Sequence, residues 1–477
     1  SPIARANDSV TLTMLDLLVI NASLPDGRTR MSLGVRAGRI VELGKGLNLP
    51  AHETLDAQGQ LLTAPFVDAH FHMDATLSYG LPRVNQSGTL LEGIALWNEL
   101  KPLLTHEAVV ERALAYCDMA VAQGIGAIRS HVDVCDDRLL VVEALLQVKR
   151  QVAPYLDLQL VAFPQDGLYR SATAEKNLLR ALDLGVDVVG GIPHFERTMA
   201  DGAESVKLLC ELAAERGLRV DMHCDESDDP LSRHIETLAF HTQRLGLHGR
   251  VAGSHLTSMH SMDNYYVSKL LPLMREAGLH AVANPLINIT LQGRHDSYPK
   301  RRGMTRVPEL MAAGINVGFG HDCVMDPWYP LGSGDMLEVA QMGLHDQARA
   351  QCEAALARAR DEAVAAATAR ARQAAEDEAR YRGLVSTGAV SASAYDKVKA
   401  AADSARAELK AAQAQADVAH NEKIPGLRGG QQVRHNPAVG ASNVERVGSL
   451  AGSQSLVAAS QRLVAPNSLV KGTHSLQ

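Results

Sequence analysis

The sequence predicts an α/β fold built on a (β/α)8 TIM-like barrel, and three observations carry that expectation. Short apolar runs alternate with helical stretches between residues 61 and 322, a rhythm that lays successive strands side by side in parallel. Eight such runs occur, enough to close a barrel. No glycine-rich phosphate-binding turn follows the first of them, which argues against an open doubly wound sheet.

The elements follow in order along the chain. Residues 1–13 read as a leader or processing remnant, and they lack the apolar stretch of a secretory signal. Residues 14–60 read as part of a small β-sandwich, expected to be incomplete. Its strands are LLVINASL (17–24) and GRIVEL (38–43), with turns at 25–27 and 37–38. The barrel is expected over 61–345, with strands at 61–70, 127–134, 157–163, 187–194, 219–226, 251–256, 280–287 and 315–322. From 346 to 423 the composition changes abruptly: 28 of those 78 residues are Ala, mixed with Arg, Glu, Lys and Gln. Tyr381 and Tyr395 are the only aromatics beyond residue 345. That composition predicts a long α-helical hairpin or coiled coil. Residues 424–477 are rich in Ser, Gly, Val and Asn without a sustained period and read as a flexible tail.

Composition excludes several function classes. A net charge of -7 over 477 residues argues against nucleic-acid binding, which needs a basic face. No apolar run approaches the roughly 18 residues that a membrane span needs. Six Cys without a CxxC pair suit a reducing compartment, so a cytoplasmic location is expected.

The polar residues at the strand ends suggest the chemistry. His70 and His72 lie two apart, on one side of the first strand. The second run ends with His131 and Asp133, the third with Gln165, the fifth with His223 and Glu226, the sixth with His255 and the eighth with Asp322. In a barrel those C-terminal ends form one face, where catalytic groups gather. Three imidazoles and a carboxylate suit one divalent metal ion per chain, zinc or iron, with a position left for water. Such an ion lowers the pKa of bound water toward about 7. Glu226 is placed to shuttle a proton, His255 to hydrogen-bond the activated water, and Asp322 to ligate the ion and accept the water's proton. The pattern predicts hydrolysis at an sp² carbon with a nitrogen leaving group.

Residues 14–345 resemble the bacterial cytosine deaminases of the amidohydrolase superfamily. The resemblance rests on NQSGTL (85–90), EGI (92–94), HVDV (131–134), AFPQ (162–165), GIPHFE (191–196), HCDE (223–226), NPLINI (284–289), YPKRRG (298–303), GHD (320–322) and DPWYPLG (326–332). The HxE and PCxxC signature of the separate cytidine-deaminase fold is absent. The resemblance implies that His70, His72, His223 and Asp322 hold the metal, that Glu226 protonates the ring nitrogen, and that His255 polarises the attacking hydroxide. It implies that Gln165 hydrogen-bonds the pyrimidine edge. Trp328 reads either as a stacking ring or as core packing, and His131 with Asp133 as an inward pair bracing the site. The run at 300–302 reads as a solvated loop. One departure stands out: cytosine deaminases carry a second Asp after the metal Asp, where this chain has Cys323. A thiol leaves room for an apolar substituent that a carboxylate resists through its desolvation. Deamination of cytosine, of 5-methylcytosine, or of both by hydroxide attack at C4 is therefore expected, with isoguanine or a triazine as the alternative ring amine. The partner is a small-molecule nucleobase, and the family implies a homo-oligomer.

Beyond residue 345 this resemblance stops, where the family adds helices and returns to complete the sandwich. Residues 351–421 instead resemble the helical hairpin of bacterial membrane-fusion (efflux adaptor) proteins, through YRGLVSTGAVS (381–391) and a second Ala-rich helix from about Ser393. The chain reads as most of a deaminase joined to a foreign hairpin and tail. Strands 17–43 would then lack partners at their edges. The competing expectation is an inert barrel carrying a helical interaction segment.

Overall fold

A computed structural model describes residues 14–387 and 390–421, so the readings of a leader over 1–13 and a tail over 424–477 lie outside the described residues. The chain divides into two compact units, with the break between Met342 and Gly343.

In the first unit, the N-terminal apolar runs pair into a four-stranded sheet. Its strands are β1 (Leu15–Ala22), β2 (Met31–Arg36), β3 (Arg39–Lys45) and β4 (Ala51–Asp56), in the order β3-β2-β1-β4. Ala37 and Gly38 join β2 to β3 with φ of 49° and 70°. Two positive values in a two-residue loop match the twist of the flanking strands, which is why the turn falls there. Sequence reasoning found β1 and β3 and missed the other two. Gly34 interrupts the apolar pattern of β2, and AHETLD of β4 is almost wholly exposed. The expectation of uncovered edges is corrected for β1, which pairs antiparallel with β2 and parallel with β4.

The eight expected parallel strands form as β5 (Phe66–Phe71), β6 (Ile125–Asp133), β7 (Asp157–Phe163), β8 (Val188–Gly191), β9 (Arg219–Cys224), β10 (Val251–His255), β11 (His280–Ala283) and β12 (Asn316–Phe319), each beside its sequence neighbour. Several end earlier than their expected ranges, and at β8 and β11 a proline explains why. Pro193 opens a short 3-10 turn after β8, and Pro285 opens the helix Pro285–Leu291 after β11. Proline has no N–H for a ladder but suits the first turn of a helix.

The sheet closes where β12 meets β5. Asp322 N–H donates to the His70 carbonyl at 2.8 Å, and His72 N–H donates to the Asp322 carbonyl at 2.9 Å. Gly320 permits that approach, because a Cβ there would lie 2.6 Å from His70 Cβ and 2.7 Å from the His70 carbonyl oxygen. The barrel interior is apolar at Val67, Ala69, Ala252 and Val282. It is polar around Arg129, whose guanidinium donates to Gln159 and to Asp221 at 2.7 Å each, while Ser254 Oγ donates to the other Asp221 oxygen at 2.8 Å. These groups are buried and mutually paired, the condition for keeping charge inside a core.

The helix expected from 346 begins earlier, at Met336, and runs to Ser386. Met336, Val339 and Ala340 are buried in the barrel's own core. In the second unit this helix pairs with Ala392–Asn421. Ala371 and Ala402 are buried, and the buried Glu378 carboxylate accepts from Arg382 at 2.6 Å and from Arg406 of the second helix at 3.2 Å. No helix among the described residues is long and apolar enough to cross a membrane.

Gly320→Ala should destabilise the protein by about 1–3 kcal/mol, the usual cost of forcing atoms into a packed core. The check is a lowered urea midpoint at unchanged m-value.

Candidate functional site

The strand ends turn sharply, and that turning gathers the polar side chains. Asp225, His255, Leu256 and Asp322 all have left-handed backbone, with φ of 55°, 70°, 53° and 69°. Such residues persist only where surrounding contacts hold them. Asp225 shows how: its carboxylate accepts from Ser232 Oγ at 2.7 Å, from Ile235 N–H at 2.8 Å and from His234 N–H at 3.0 Å. The chain reverses there, between His223 on β9 and Glu226 beyond its end.

The four expected ligand residues meet. His70 Nε2 is 3.0 Å and His72 Nε2 is 3.4 Å from Asp322 Oδ1, and His72 Nε2 is 2.9 Å from His223 Nε2. Burial first, and neighbouring positive groups second, push His70, His72 and His223 well below the usual imidazole range. They therefore present neutral nitrogens. Both ring nitrogens of His70, Nδ1 of His223 and Oδ1 of Asp322 are buried without a hydrogen-bond partner. Buried polar atoms without partners are costly, and convergent nitrogen and carboxylate donors fit a borderline divalent cation. Two overlapping sets could hold one: His70, His223, His255 and Asp322, or His70, His72, His131 and His223.

The structure corrects the reading of His131 and Asp133 as a pair. His131 joins the imidazole cluster, its ring centroid 4.1 Å from that of His70. Asp133 turns away, accepting from Trp97 Nε1 at 2.8 Å and pairing with Lys101 Nζ at 2.9 Å. Lys101 also reaches Asp166 at 2.7 Å, beside Gln165. Burial opposes its charge, and the two carboxylates overcome that and hold the ammonium above its usual range. The run at 300–302 is an exposed loop at Lys300 and Arg302, as expected. Arg301 within it is half-buried and donates to both Asp296 oxygens at 2.8 and 2.6 Å.

A small cavity of about 20 Å³ opens beside the cluster, lined by His72, His223, Glu226, His255, Asp322, Gln165, Cys323 and Trp328 together with Leu90, Ile192, Ile287 and Leu291. Glu226 Oε1 lies 3.4 Å from His255 Nδ1, and burial raises the Glu226 carboxyl to about 8. Asp322 is raised well above the carboxylate range, by burial first and then by Glu226. Burial likewise raises the Cys323 thiol, so that wall is uncharged at neutral pH. Trp328 is both a lining residue and a packed one. Its indole rests on Gly93 so closely that a Cβ there would lie 2.2 Å from Trp328 Cδ1.

Sequence reasoning missed the apolar wall and two asparagines. Asn284 and Asn288 are fully buried, and Asn288 Nδ2 lies 2.9 Å from His255 Nδ1. Two amides inside the apolar run NPLINI are a signal that could have found them.

A family model described as "Amidohydrolase family" matches residues 53–393, running past the point where the motif resemblance stops. Among solved structures, 5-methylcytosine deaminase from Klebsiella pneumoniae liganded with 5-fluorocytosine superposes with a TM-score of 0.67 and 44% identity, covering 69% of this chain and 80% of that one. The chain is 29% identical over 331 residues to N-isopropylammelide isopropyl amidohydrolase of Pseudomonas sp. (strain ADP), covering 68% of this chain and 78% of that protein. It is 26% identical over 319 residues to pterin deaminase of Rhizobium rhizogenes, covering 66% and 72%. The barrel, the strand-end cluster and the extent of the family match together identify the chain as a member of the amidohydrolase family.

Proposed function

We propose that this protein hydrolytically deaminates a free pyrimidine base, 5-methylcytosine in preference to cytosine. The observation that carries the reading is that Gln165, Glu226, His255, Asp322 and the uncharged Cys323 line one small cavity. Similarity at 44% identity to a 5-methylcytosine deaminase supports the same substrate class.

His70, His72, His223 and Asp322 would hold one divalent ion, zinc or iron. When bound, the ion supplies Lewis acidity toward water at the reacting carbon. Gln165 orients the base through its polar edge, and Trp328 packs on it from the wall formed with Gly93. Water adds its oxygen to C4, and the C4–N4 bond breaks. One of the water's protons ends on N3 and the other leaves with the amine as ammonia. Asp322 takes the first proton from the water. Glu226, kept protonated by burial, gives its proton to the ring nitrogen and recovers one from the C4 hydroxyl, while Asp322 passes its proton to the departing amine, so both carboxyl groups end as they began. A carboxylate at position 323 would lose hydration against a 5-methyl group, whereas the thiol does not.

Purified protein should release ammonia from 5-methylcytosine faster than from cytosine, and Glu226→Gln should lower kcat by about 10²- to 10⁴-fold, the usual contribution of acid–base catalysis. Release from another ring amine alone would replace this substrate assignment. Cys323→Asp should move the kcat/KM ratio of the two bases toward cytosine by about 10-fold or more, the worth of one methyl group in a fitted pocket. Metal analysis should find about one divalent ion per chain, lost in His223→Ala. Gly93→Ala should destabilise the protein by about 1–3 kcal/mol and also raise KM, because the added methyl displaces the buried Trp328; denaturant titration and initial-rate kinetics check the two effects.

A further inference from the structure

The hydrogen bonds around His255 determine which of its nitrogens carries the proton. A neutral imidazole has one donor and one acceptor nitrogen. Asn288 Nδ2 lies 2.9 Å from Nδ1. That contact alone does not give a direction, because an amide could present either its oxygen or its nitrogen. A second contact does. Asn284 N–H donates to Asn288 Oδ1 at 3.2 Å, at the start of the helix Pro285–Leu291. A backbone N–H needs an acceptor, so the amide oxygen is committed to it and the NH₂ group faces the ring. An amide nitrogen donates and does not accept. Nδ1 of His255 is therefore the acceptor of that bond, the shortest to the ring; Asn284 Nδ2 lies 3.3 Å from both ring nitrogens and favours neither, and Glu226 Oε1 lies farther from Nδ1, at 3.4 Å.

We propose that Asn288 is a positioning residue that locks His255 in the Nε2–H tautomer, so that His255 meets the reacting centre as a hydrogen-bond donor and not as a base. Resting on the aminohydrolase reading above, this deepens it. Nε2 lies 3.9 Å from Asp322 Oδ2. A donor at that position stabilises the negative charge that develops on the attacking oxygen. It cannot also collect the water's proton. Proton traffic is thereby left to the two carboxyl groups that line the same cavity, Asp322 and Glu226.

The test reads the tautomer directly. The full chain is labelled with ¹⁵N-histidine and loaded with zinc, and long-range proton–nitrogen correlations are recorded. The signal absent from His255→Gln identifies the residue. The expected result is a protonated Nε2 and an unprotonated Nδ1. In Asn288→Asp the carboxylate accepts instead, so the proton should move to Nδ1, and kcat should fall by about 10²-fold while KM changes by less than about 3-fold. Asn288→Leu removes the bond and should give a mixture of tautomers. A protonated Nδ1 in the unmodified protein overturns the proposal, and so does an Asn288→Asp spectrum identical to wild type. If neither variant folds, the wild-type spectrum still decides. Failure of the substrate assignment would appear separately, as an absence of ammonia release from pyrimidines with the Nε2–H signal intact.

Discussion

Everything in the barrel depends on the contact between its first and last strands. The sheet closes through backbone hydrogen bonds exchanged by His70, His72 and Asp322, and Gly320 is the residue that lets the two chains approach. The same three residues supply donors to the candidate metal cluster. Closure and site formation are thus one structural event. A barrel that failed to close would separate the carboxylate of one strand from the imidazoles of the other, and the cavity beside them would lose its floor.

Two costs accompany that arrangement, and each has a visible compensation. Left-handed backbone at Asp225, His255 and Asp322 costs of the order of 1–3 kcal/mol per residue. The buried contacts of the Asp225 carboxylate and the seam hydrogen bonds of Asp322 hold two of these turns in place. The charged interior is costly unless paired, and Arg129, Gln159, Asp221 and Ser254 satisfy one another below the site. The strained, polar end of the barrel therefore stands on a satisfied polar base, with packed apolar side chains between strands and helices.

Much of this was legible in the sequence, for physical reasons. Period and length revealed the eight barrel strands, because fully buried parallel strands are continuous apolar runs. The polar residues at their ends were legible because a barrel presents those ends on one face. β2 and β4 were not, since a strand interrupted by Gly34 and a strand almost wholly exposed carry no apolar period. His131 and Asp133 share one motif, yet their side chains leave the strand in different company. Which neighbour each meets is set by residues far away in sequence, the His70 cluster for one and Trp97 with Lys101 for the other. Arg301 illustrates the same gap: which side chain of an exposed basic run is held by a carboxylate is known only once Asp296 is placed beside it. The direction of the Asn288 amide lay equally beyond reach, because it follows from a helix start and a strand end meeting in space.

Lys101 carries a consequence for how such a pocket changes over time. It follows directly on the helix that bears Leu90 and Gly93, and it grips Asp133 at the end of one strand and Asp166 beside Gln165 at the end of the next. The wall beneath Trp328 and the wall presenting Gln165 are thereby tied into a single mechanical body with little independent freedom. A pocket of that kind adapts poorly by sliding one side against the other. New substrates are more readily accommodated by exchanging individual lining side chains, and position 323 lies outside the tied walls. Diversification of specificity in such a scaffold is channelled through a few replaceable positions while the frame around them stays constant.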